Sequence, residues 1–155
     1  MSNYFLAATG IVGCGVVSGV FFAFSGFVMP ALGRLPTPQA VAAMQAINVT
    51  AVTPPLMTAL FGTAVVCVAI AVEAVLTWGA PGAWLRLTAA LLYLIGAVGV
   101  TILFNVPRND ALAAHAPEST QAATLWMSYL REWTTWNTVR TIASGLAAIA
   151  LLAAR

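Results

Sequence analysis

Four apolar runs, each about 20 residues or longer, constrain this chain more than anything else in it: roughly residues 4–29, 54–78, 84–104 and 134–153. None holds more than one charged residue. A run of that length can satisfy all its backbone polar groups within one helix and so cross a bilayer. A water-soluble fold would have to cover the runs with polar side chains, and only 6% of the 155 residues are charged, against about a quarter in ordinary soluble domains. The expected fold class is therefore an all-α membrane protein. It would be a single domain over residues 1–155, a four-helix transmembrane bundle running up-down-up-down with short capping helices on one face. The lipid bilayer is its first expected partner. Its six basic residues are all Arg, set against Glu73, Asp110, Glu118 and Glu132, and a net charge of +2 makes no surface for nucleic acid. Cys14 and Cys67 stand singly inside apolar runs, so no disulfide framework is implied. The first run has no basic segment before it and is too long for a cleaved signal sequence, which predicts a retained span.

The punctuation agrees with these boundaries. Pro30, Gly33 and Pro36 close the first run, Thr53 before Pro54 reads as an N-cap with Pro at N1, and Gly79, Pro81 and Gly82 make a tight turn between Trp78 and Trp84. Two longer connections, about residues 31–53 and 105–133, carry helical signals of their own. After Pro38, the residues Val41, Met44, Gln45 and Asn48 fall on one helical face. After Pro117, a helix beginning near Glu118 meets no Gly or Pro before Gly145 and would project beyond the bilayer before entering it. Pro107 predicts an end or a kink for the third span, whose freed carbonyls near Leu103 and Phe104 need donors such as Asn105, Arg108 and Asn109.

Up-down connectivity puts both long connections on one face, and nearly all the polar side chains with them. The opposite, bare face has only the 79–83 turn and the two termini. Arg34, Arg108, Arg131 and Arg140 belong to the capped face and its margin, and Arg86 and Arg155 to the bare one. That difference is too slight to orient the protein.

Helix four carries the most informative pattern. Trp126, Tyr129, Trp133, Trp136, Asn137 and Arg140 form a single stripe. An aromatic stripe of this kind serves as core or interfacial anchor, but Asn137 and Arg140 continue it into the membrane, where a charge costs a few kcal/mol unless paired or wet. Glu73 lies about five residues from Trp78, roughly 10 Å or more from Arg140 along the helix axis, and is expected to pair with Arg86. The expected partner of Arg140 or Arg131 is Asp110. Asn105, Arg108 and Asn109 from the third span, with Gln45 and Asn48 from the short helix, would add amides and a guanidinium at the same level. Such a set suits a flat, oxygen-rich, lipophilic aromatic ligand: Trp133 and Trp136 for stacking, guanidinium groups for phenolate or enolate oxygens, amides for orientation. No metal is expected, because His115 is the only histidine and has no second ligand at a usable spacing. Gly15 and Gly19 form a GxxxG that would pack a helix of the bundle or of a second copy, a possible homo-oligomer contact.

The segments FFAFSGFVMPAL (21–32), FNVPRNDALA (104–113) and WMSYLREWTTWNTVRT (126–141) resemble those of the anthrone oxygenase-like family of small four-helix membrane proteins. The more specific elements are Asn105, Pro107 and Asn109, then Trp133, Trp136, Asn137, Arg140 and Thr141. The resemblance implies oxidation of a polyketide anthrone to an anthraquinone by molecular oxygen, with no flavin or metal cofactor. It implies catalytic roles for Asn109, Asn137 and Arg140, with Asp110 as first candidate for the base and a substrate phenolate as second. Relatives often carry His after the motif asparagine, where this chain has Thr138, and Arg108 stands at a variable family position. The expected location is the cytoplasmic (plasma) membrane of a bacterium. Two other readings stay open at this point: a non-catalytic protein that binds a quinone, a lipid or a partner helix, and a small multidrug-type transporter that would depend on Glu73.

Overall fold

A computed structural model describes the backbone of residues 2–154, with side chains from residue 4. The termini counted above, including Arg155, lie outside the described residues. Helix makes up 87% of the structure and no strand occurs among the described residues. Five helices follow in order: α1 (Tyr4–Leu32), α2 (Thr37–Ala51), α3 (Pro54–Leu76), α4 (Ala83–Ala113) and α5 (Thr120–Ala153). All but α2 are long and apolar enough to span a membrane. In the bundle α1 packs on α3, α3 on α4, α4 on α5, and α5 back on α1, the closed ring that up-down-up-down connectivity produces. The expected fold class is the observed one.

Each boundary has a local cause. The Ser119 hydroxyl accepts from the Ala122 amide and so caps α5. The turn between α3 and α4 has φ of +100° at Gly79 and +74° at Gly82, which residues with a Cβ rarely adopt. Thr53 has the extended backbone of an N-cap, but its hydroxyl donates to the Thr50 carbonyl at 2.7 Å, and it gives α3 no side-chain cap.

Of the two outcomes expected at Pro107, an end or a kink of the third span, the end is not observed, because α4 continues past it. Immediately before it the helix widens to a π-helical turn at Thr101–Asn105, which absorbs the ring that would otherwise press on the carbonyl four residues back. Phe24–Val28 does the same before Pro30 in α1. The third span therefore continues to Ala113, two to three turns past the expected end at residue 104.

Two apolar clusters hold the bundle. The deeper one includes Cys14, Val17, Cys67, Ile70, Tyr93 and Leu151; the other, under α2, includes Met29, Val41, Met44, Leu112, Trp126 and Tyr129. Between them lies the cavity that gathers the polar side chains.

Candidate functional site

Arg140 is 5% exposed and no carboxylate pairs with it among the described residues. Its Nη1 donates to the Thr101 hydroxyl at 3.0 Å and its Nη2 to Asn137 Oδ1 at 2.7 Å. The guanidinium lies 4.0 Å from the Phe21 ring centroid and 5.2 Å from that of Trp133, so aromatic faces supply part of the missing negative charge. Nε is buried with no hydrogen-bond partner.

Asn137 is held from three directions. Besides accepting from Arg140, its Nδ2 donates to the Phe21 carbonyl and the Ser25 hydroxyl, both at 2.6 Å. Those partners adjoin or belong to the wide turn of α1, where the backbone opens enough for a carbonyl to accept from another helix. The Asn137 amide is thus fixed with its oxygen toward Arg140.

Asn109 is fixed in the same manner. Its Oδ1 accepts from Tyr129 Oη at 2.9 Å and from Trp133 Nε1 at 2.7 Å, which leaves its Nδ2 as a donor with no protein partner. Asn105 donates through Nδ2 to the Trp133 carbonyl at 3.2 Å, and its Oδ1 is buried without a partner. One turn of α4 separates each of Thr101, Asn105 and Asn109 from the next, so the three share a face.

Arg140, Asn137, Asn109, Asn105 and Thr101 line a cavity of about 110 Å³ to which all five helices contribute. Six of the ten expected site residues reach it: Asn48, Asn105, Asn109, Trp133, Asn137 and Arg140. Four do not. Asp110 is exposed, and its expected pairing with Arg140 or Arg131 is not formed; successive helical residues point about 100° apart, so a helix that aims Asn109 inward aims Asp110 elsewhere. Arg108 turns to Glu132, 2.8 Å away, and its Nη1 donates to the Phe104 carbonyl. Trp136, one residue before Asn137, stacks on Phe104 at 3.7 Å outside the cavity. Gln45 donates to the carbonyls of Leu112 and His115 and ties α2 to the end of α4.

Thr101, Phe21 and Phe24 also line the cavity without having been expected there. For Thr101 a signal existed, the four-residue steps from Thr101 to Asn105 and from Asn105 to Asn109. The two phenylalanines stand in an apolar run with no polar residue type to single them out. At the opposite end of the bundle, Arg86 Nε lies 3.0 Å from Glu73 Oε2, the expected pair.

Chemically, the cavity wall sets the Arg140 guanidinium, the Thr101 hydroxyl and the amides of Asn48, Asn105, Asn109 and Asn137 among aromatic and aliphatic side chains. Among the described residues it offers no carboxylate, imidazole or thiol. The chemistry of such a wall suits an anionic or strongly polarised oxygen on an apolar body. Residues 48–150 match the family model described as anthrone oxygenase. No curated protein and no solved structure matches the chain.

Proposed function

The chain belongs to the anthrone oxygenase family, and from that premise we propose that it oxidises a lipophilic phenolic or polyketide substrate, anthrone-like in carrying a CH₂ between aryl rings and conjugated to a carbonyl, with molecular oxygen. The observation that carries the proposal is the buried Arg140 guanidinium, which lines the cavity and is unpaired with any carboxylate among the described residues. A membrane-embedded charge costs about 2.5–3.5 kcal/mol at mid-bilayer. An anionic oxygen on the ligand would offset that cost at the moment the anion forms.

In the proposed reaction the CH₂ loses a proton and the carbonyl becomes an enolate, which Arg140 stabilises while Asn109 Nδ2 orients the ring. The carbanion carbon gives electrons to O₂ and a C–O bond forms. Loss of the second hydrogen as a proton then breaks the O–O bond, leaving a carbonyl and one water. The balance is CH₂ plus O₂ to C=O plus H₂O, with no outside reductant, so positioning and charge stabilisation are what the protein must supply. Asp110 does not reach the cavity, so the base assigned here is the substrate's own phenolate, and neither flavin nor metal has a step. The bacterial plasma membrane stays the proposed location, and a homo-oligomer through Gly15 and Gly19 the proposed assembly.

The test is oxygen uptake and anthraquinone formation from an anthrone by protein in vesicles, against empty vesicles. One O₂ per product, with ¹⁸O from ¹⁸O₂ in the new carbonyl, is the expected result. Uptake no faster than in empty vesicles would sink the proposal. The transporter reading is weakened by Glu73, which is paired with Arg86 away from the cavity.

A further inference from the structure

We infer that the cavity takes its ligand sideways from the bilayer, polar edge first, through the gap bounded by Val52, Leu56 and Val106. This route rests on the anion-binding reading of the cavity given above. Three observations point to it.

The first is size. A cavity of about 150 Å³ takes one benzene ring, so 110 Å³ encloses no more than the edge of a fused-ring molecule. The remainder has to lie in whatever opening the cavity has. The second is the composition of that opening. Val52 and Val106 both line the cavity and are 67% and 41% exposed, and Leu56 between them is half-buried. No charged side chain lines the rim, and exposed Val49 and Leu103 continue the apolar surface beside it. Leu56 and Val106 belong to helices long and apolar enough to span a membrane, so an apolar opening beside them would meet lipid.

The third is the closure of the other side. Above the cavity, Met44, Leu112 and Trp126 are at most 2% exposed, and the Gln45 bonds to the Leu112 and His115 carbonyls hold α2 down over them. Beneath this layer, the Tyr129 and Trp133 donors are both spent on Asn109. A ligand arriving from the aqueous side would have to break that roof, whereas one dissolved in the bilayer first meets the aliphatic side chains of Val52, Leu56 and Val106. The route also selects ligand chemistry: an apolar body with its ionisable oxygens confined to one edge, since a second charged edge would be left in the lipid.

The experiment follows 2-hydroxyanthraquinone binding to the full chain in phosphatidylcholine vesicles by stopped-flow quenching of tryptophan fluorescence. Val52→Trp should slow association about tenfold or more, Val52→Ala should leave it as fast or faster, and Gln45→Ala, which loosens the roof, should not change it. At fixed total dye, added lipid should slow association, because the dye is diluted in the membrane. The route falls if Val52→Trp associates at the wild-type rate, or if Gln45→Ala speeds association. Arg140→Gln separates the two levels of the argument: it should abolish quenching by either route, and if it does not, the anion reading falls and the route with it.

Discussion

Arg140 and Glu73 are both charged, and both lie in segments that span the membrane, but their surroundings differ. Glu73 has a partner guanidinium, whereas Arg140 is held by neutral groups and ring faces. Removing a charge that already has its partner costs stability. Removing one held ready for a ligand costs function. Arg140→Ala should therefore lower turnover, or dye binding, by about two or more powers of ten, as for a lost charge-stabilising donor, while Glu73→Gln shifts thermal unfolding and leaves turnover within about twofold per active protein. Arg140→Lys sharpens the comparison. Lys retains the charge but loses the planar fork that reaches Thr101 and Asn137 together, so turnover should stay well below wild type. A normal Arg140→Ala beside an inactive Glu73→Gln would move the site to the opposite end of the bundle.

Helices bring these residues together only because neighbouring backbones approach closely. Where α4 crosses α5, a Cβ on Gly96 would collide with the Ala143 Cβ, a buried methyl with no free rotamer. Gly96→Ala should destabilise the bundle by about 1–3 kcal/mol, read as a lower thermal midpoint, with dye binding weakened because Arg140 lies one turn along. The spans themselves were legible from hydropathy, because a helix in lipid must be apolar over a fixed length. The stripe on α5 placed Trp133, Asn137 and Arg140 correctly for a similar reason: burial obeys the helical period. Legibility stopped at single-residue phase. Asp110, Arg108 and Trp136 are immediate neighbours of Asn109 or Asn137, and a helix that aims one residue inward turns the next one out. It also stopped at Pro107, where the sequence allowed an end or a kink and only the structure reveals a helix that widens to pass it.

Over the whole molecule, Gly15 and Gly19 have open space where a Cβ would go and face away from the bundle. Gly15→Leu with Gly19→Leu should leave the monomer folded and abolish the proposed homo-oligomer, seen as a single-chain mass in nanodiscs; a wild-type chain that is itself monomeric there would end that proposal. The wide turn at Thr101–Asn105 has a consequence of another kind. It is, in effect, a one-residue insertion that the helix has absorbed. Deleting Leu103, an exposed position, would return this turn of α4 to ordinary pitch and swing Asn105 and Asn109 about 100° relative to the helix below. Such a variant should insert, keep its helix content and bind no dye. A gene one codon shorter at this point would encode four spans of the same hydropathy, with the cavity's amides turned out of it.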